Sequence, residues 1–433
     1  MRKLALLVML TISGFGLFAQ SAFDKYFIPA SLRFDYILAG NSDTTLLYYH
    51  QLKKEPFWGG SKTQLIDSFN YGDYMLNVRD AATGKLIYSH GYSDLFREWQ
   101  TTDEAKKLKK AFTETVTMPF PKNKVTIEIL KRKRNQSLYS LFKYRIDPND
   151  IQINKDTLVG YQTEKIIDSG DPSQMVDIVF IPEGYTSADM EKFKKDARRF
   201  ASYLMSWAPY KDFADKFNFW IVNAPSLDKG TDLPGKHIWN RTVVNSNFYT
   251  FGTDRYLTTQ DVYSVRDIAA HAPYDQICIL VNTEKYGGGG VYNFYDLCTV
   301  DNSSSEFVFC HEFGHSFAGL ADEYVEPGLQ TASMYSLKAE PWEPNITTLV
   351  HFDRKWKKML SKNTPVPTPM SRAKDITTGV FEGAGYLEKG IYRPAADCSM
   401  RSVKNNSFCS VCQAAIRKKI ISYLDTPVKV EQK

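Results

Sequence analysis

The chain has 433 residues, 43% of them hydrophobic, and carries 54 basic against 49 acidic side chains for a formal net charge of +5. That length exceeds what one hydrophobic core usually serves, so two or more domains are expected. A near-balanced charge, with one dense basic run at 130–135 (LKRKRN) and no second basic cluster interleaved with aromatics, excludes a nucleic-acid partner. The run itself reads as a solvated turn or edge strand.

At the N-terminus, Arg2 and Lys3 precede a short apolar stretch ending near Ala19, the pattern of an export signal over residues 1–20 that is removed close to Gln20 or Ser21. No second spanning segment follows, so no stable membrane span is expected after cleavage. The expected location is the periplasm, the cell surface or the medium.

Residues 21–165 carry short, aromatic-rich β runs separated by Gly, Asn and Asp turns: FDYILAG, TTLLYYHQL, YMLNVRD, KLIYSHGY, KVTIEILK and SLYSLFKYRI. Their spacing predicts an antiparallel β-sandwich, interrupted by one helix at about 103–114. Nothing in this half demands chemistry, and His50 and His90 read as ordinary sheet residues.

After a Ser/Gly/Pro/Asp break at 169–174 the pattern changes. MVDIVFIPEGY is an almost wholly apolar strand, followed by a helix with a Ser N-cap and Met190, Phe193, Ala197, Phe200 and Leu204 at helical spacing. A strand (FNFWIVNA), a helix around 259–270 and a second buried strand (QICILVN) complete an alternation expected of an α/β layer. The fold class is therefore α+β, with the sandwich followed by an α/β domain over 166–433.

All six cysteines fall in this second half, at 278, 298, 310, 398, 409 and 412. Export permits disulfides, and Cys398, Cys409 and Cys412 can hold one bridge; Cys409-x-x-Cys412 has no second CxxC to complete a zinc knuckle. Cys278, inside ICILV, reads as a buried thiol.

The stretch SSSEFVFCHEFGHSFAGLADEY, 303–324, concentrates the chemistry. Ser303 followed by Glu306 has the form of a capping box, predicting a helix from about Ser304. On that helix His311 and His315 point within about 40° of each other, while Phe309, Phe313 and Phe317 face the other way as core. His-Glu-x-x-His on one helix lets two imidazoles reach one Zn²⁺ with Glu312 beside its water. Gly319 would end the helix, and Asp322 three residues on would supply a third, anionic ligand, with Glu323 as its competitor.

HEFGHSFAGLADEY resembles the active-site helix of the secreted metallopeptidase family typified by a bacterial immunoglobulin A peptidase, the M64 group, and is broadly similar to metzincins. One departure is plain: Gly319 lies four residues after His315, where the metzincin glycine lies three after, although the three-residue step from Gly319 to Asp322 is kept. The resemblance covers roughly residues 170–425 and implies a metzincin-like catalytic domain. It also implies a methionine turn beneath the zinc, for which Met400 in DCSMRS is the candidate, and Tyr392 in GIYRPAAD is placed as a phenol donating to an oxyanion. YGGGGVYNFYD, just before the helix, lets backbone approach backbone, and reads either as a flexible loop or with VYNFY as an edge strand for an extended peptide.

The expected activity is a zinc endopeptidase acting on a polypeptide, with His311, His315 and Asp322 as ligands and Glu312 as general base. The competing expectations are a surface binding protein with a structural metal, and a zinc amidase acting on glycan-linked peptides.

Overall fold

The computed structural model describes residues 22–156, 160–326 and 334–424. The export signal expected over 1–20 lies outside them.

The first half forms two antiparallel sheets laid face to face. After a short helix α1 (Ala22–Tyr26), strands β1 (Phe27–Gly40), β2 (Thr45–Glu55) and β5 (Lys110–Pro121) form a three-stranded sheet in the order β2-β1-β5. Strands β3 (Tyr74–Asp80), β4 (Leu86–Tyr92), β6 (Val125–Arg132) and β7 (Leu138–Ile146) form the second, in the order β4-β3-β6-β7. Along β1, Leu32, Phe34, Tyr36 and Leu38 are all fully buried. Phe34 stacks on Phe142 of β7 at 5.6 Å between ring centroids, and Tyr36 shares a 2.8 Å hydroxyl hydrogen bond with Tyr92 of β4. The alternate β1 residues Arg33 and Asp35 are buried too, because the second half covers the other face of this sheet.

Strand β5 occupies part of the segment expected to be a helix at about 103–114. The only helix nearby is α2 (Leu95–Trp99), and residues 100–107 are turns. From Phe112 onward the alternation of buried Phe112, Val116 and Met118 pairs with β1, and that pairing overrides local helix propensity. The basic run also departs from expectation. Lys131 and Arg132 are buried at the end of β6, with Arg132 donating to the carbonyls of Gly72 and Asn70, and only the following turn is exposed.

The second half is built on a six-stranded mixed sheet, in the order β12-β13-β11-β9-β10-β8. Strands β9 (Val176–Glu183), β10 (Phe217–Asn223), β11 (Gln276–Val281) and β13 (Tyr295–Thr299) run parallel; β8 (Gln162–Ile167) and β12 (Gly288–Val291) are antiparallel edges. Both faces are covered, which accounts for the nearly continuous apolar runs. Ile178, Phe180, Cys278 and Leu280 pack with α3 (Met190–Ser206) and α5 (Ser305–Ala318); Val179, Ile181, Ile277 and Ile279 join α4 (Val262–Ala269) and the sandwich in one continuous core. A hairpin, β14 (Phe381–Ala384) with β15 (Leu387–Arg393), and helix α6 (Ser410–Tyr423) follow. The protein is thus mixed α/β with several antiparallel sheets.

Two helix starts differ from the sequence reading. The turn before α3 is capped by Thr186 with Asp189, not by a serine. At α5 the N-cap is Ser304 with no side-chain cap, because Glu306 turns away to accept the Trp207 indole N–H at 3.0 Å.

Candidate metal centre

Helix α5 carries His311 and His315 one turn apart and stops at Gly319, whose φ of 64° is left-handed and suits glycine. The reversal returns the chain toward the helix: Asn345 bonds both the N–H and the carbonyl of Ala321, fixing the next residue, Asp322, beside the imidazoles. His311 Nε2 and His315 Nε2 lie 3.1 Å apart, and Asp322 Oδ1 lies 3.2 and 3.4 Å from them. A tetrahedral zinc with bonds of about 2.0–2.1 Å places its ligand atoms about 3.3 Å apart, so the triangle has the size of one metal's coordination face.

The far side of each of these side chains is tied down. His311 Nδ1 faces the Ser399 carbonyl at 2.9 Å and His315 Nδ1 faces that of Leu320 at 2.6 Å, which puts N–H at Nδ1 and leaves each Nε2 free to ligate. Asp322 Oδ2 accepts the Tyr386 hydroxyl at 2.6 Å, whereas its buried Oδ1 faces only the two imidazole Nε2 atoms among the described residues. Burial opposes charge on His315, but Asp322 beside it prevails and raises the imidazole to about 9. Burial likewise opposes ionisation of Asp322, yet the two imidazoles hold it well below the usual carboxylate range. Glu312 opens onto the same cleft, its carboxyl raised by burial and drawn back down by His311 and His315.

Glu323, the rival third ligand, points away. It is fully buried, accepts from Asn345 Nδ2 at 2.9 Å and from the Cys412 thiol at 3.2 Å, and is not part of the His311–His315–Asp322 group. Met400 is fully buried under α5: a methyl on Gly314 would sit 3.1 Å from its sulfur. The same turn supplies the Ser399 carbonyl to His311 and the Met400 carbonyl to the Glu323 N–H at 2.8 Å.

Tyr392 is not brought to this site. Its ring packs with Phe352, Trp356 and Val380, and its phenol is held by Glu382. A tyrosine that does bond a member of this group is Tyr386, on the turn between β14 and β15, far from α5 in sequence and without a motif to mark it.

The edge strand also differs from expectation. The glycines themselves form β12, and VYNFY turns back into β13. A Cβ on Gly290 would lie 2.4 Å from the Glu312 carbonyl and one on Gly288 3.0 Å from Glu312 Oε1, so glycine is what lets this strand lie against α5.

The cleft has a volume of about 640 Å³ and reaches across both halves of the protein. Tyr286, Gly288, Gly290, Phe307 and Val308 line it from the second half, and Asp73, Asp94 and Glu98 from the first. Glu98 accepts the Tyr256 hydroxyl at 2.6 Å, and burial raises its carboxyl to about 7. These acids were not singled out from sequence, because each is a lone carboxylate that only the packing of the two halves brings to the cleft.

Comparison with protein families places nearly the whole described chain. Residues 22–143 match the family described as Peptidase M64 N-terminus, and residues 165–378 and 371–420 match IgA Peptidase M64. Among curated proteins, none is significantly similar to the chain.

Proposed function

The chain belongs to the IgA peptidase M64 family of peptidases, and on that premise we propose that it is an exported zinc endopeptidase. The observation that carries this reading is the triangle of His311 Nε2, His315 Nε2 and Asp322 Oδ1, at 3.1 to 3.4 Å, with Glu312 beside it in a large cleft. Two neutral imidazoles and one carboxylate suit zinc and leave a coordination position open, and the buried Asp322 Oδ1 faces both imidazole Nε2 atoms. Zinc, when bound, would supply Lewis-acid polarisation of the scissile carbonyl and acidify the attacking water.

The chain's own residues do the rest. Ser399 and Leu320 keep the imidazoles oriented through their carbonyls, and Tyr386 holds the Asp322 carboxylate. Glu312 takes the proton of the attacking water and returns it to the leaving amine, a role suited to a carboxyl that burial raises above the ordinary glutamate value. Met400 gives the helix an apolar floor. The cationic, apolar N-terminal segment supports export, and among the described residues no helix is long and apolar enough to cross a membrane.

Removal of metal tests this reading. Dialysis of the purified protein against a chelator should abolish peptide cleavage, and zinc should restore it. Cleavage that persists after the metal falls far below one per chain would contradict a metal-dependent peptidase.

A further inference from the structure

A second group of metal-ligating side chains lies behind the first. Cys398, Cys409, Cys412 and Glu323 each offer one ligand atom, and these atoms all lie within 4.8 Å of one another. We propose that these four residues form a second, structural zinc site, separate from the His311–His315–Asp322 centre.

Three observations carry it. The Cys398 and Cys412 sulfurs are 3.9 Å apart and the Cys412 sulfur is 3.2 Å from Glu323 Oε1. A tetrahedral zinc with Zn–S near 2.3 Å and Zn–O near 2.0 Å separates sulfurs by about 3.8 Å and sulfur from oxygen by about 3.5 Å, whereas a disulfide needs about 2.05 Å. Second, Glu323 is fully buried and its Oε2 has no partner among the described residues, so a buried carboxylate faces three sulfurs with half its acceptor capacity unmet. Third, the start of α6 brings the sulfurs together: Cys409 holds its N-cap position and Cys412 its first turn, and the Cys409 N–H donates to the Cys398 sulfur at 3.2 Å. The second half of the zinc knuckle that the sequence lacked is supplied by Cys398 and Glu323 from other parts of the chain.

A metal here would pin three segments together: the residue after Asp322, the turn that carries Ser399 and Met400, and the start of α6. That is a scaffold for the first centre, because Ser399 orients His311.

The test is zinc per chain, by plasma mass spectrometry, on the exported protein purified with zinc present and without chelator, together with thiol alkylation and intact mass. Two zinc ions are expected in the parent, one in His311→Ala/His315→Ala and one in Cys409→Ser/Cys412→Ser. Exchange of the parent with Co²⁺ should add thiolate-to-cobalt charge-transfer absorption in the near ultraviolet, a readout that needs no variant to fold. One zinc in the parent overturns the site, whether the three cysteines are then found as free thiols or two of them as a disulfide. One zinc with full peptidase activity would fail this proposal alone; two zincs without cleavage of any peptide would fail the peptidase reading alone.

Discussion

At the residue scale, the centre is a competition between a metal and a proton. With no cation bound, Asp322 keeps His315 protonated up to about 9. That raised value means the pair's contribution to stability in the metal-free chain is fully present below about 6.5, the ordinary histidine value, and is lost as pH rises through about 9. Metal needs the neutral imidazole, so the proton opposes it across the same window. The zinc concentration that restores half of the activity attainable at each pH should therefore rise roughly tenfold for each unit of acidification below about 9. A value that stays flat between pH 6 and 9 would mean that His315 does not compete with a proton for metal. The two histidines were legible in sequence because one helical turn is a local spacing, and Asp322 because a glycine stop brings the chain back within a few residues. Tyr386 was not legible, since its bond to Asp322 spans 64 positions and depends on a hairpin turn six residues from the tyrosine that the resemblance pointed to.

At the element scale, the contact that matters is β12 against α5. Glycine at 290 leaves the strand no side chain where the Glu312 carbonyl lies, and a Cβ there would meet that oxygen at 2.4 Å. Gly290→Ala must push strand and helix apart, an overpacking that costs about 1–3 kcal/mol. Activity should fall by at least tenfold, because the displaced helix carries Glu312 and both histidines, and thermal unfolding should shift downward. An alanine variant with unchanged melting and activity would show that the strand has room to move. The four glycines were visible in sequence, but as a loop leading to a strand; what they do is set by the helix pressed against them. The helix expected at 103–114 failed for a related reason, since β5 exists through its pairing with β1, a partner about eighty residues away.

At the scale of the whole molecule, the two halves are one folded body. Their apolar residues form a continuous core, and the buried Arg33 of β1 reaches Asp267 of α4 at 2.7 Å while also pairing with Asp35 and Glu55. Asn293 donates to the Gly91 carbonyl at 2.6 Å across the same junction. Removing Arg33 strands two buried carboxylates, so Arg33→Ala should cost about 3–5 kcal/mol. Calorimetry should record one cooperative unfolding transition in the parent, shifted as a whole in the variant; two transitions, with only one moved, would contradict a shared core. Composition and strand spacing made the sandwich legible, but not its role in the cleft, because Asp73, Asp94 and Glu98 reach the cleft only through this docking.

The central claim is that Glu312, next to a metal held by His311, His315 and Asp322, makes this protein a peptidase. The most direct measurement is mass-spectrometric mapping of cuts in an unbiased peptide library, comparing the parent with Glu312→Gln at equal zinc content. The account predicts internal cuts by the parent and a loss of about 10²–10⁴-fold or more in the variant with its zinc retained. Cuts by Glu312→Gln at the parent's rate would contradict it.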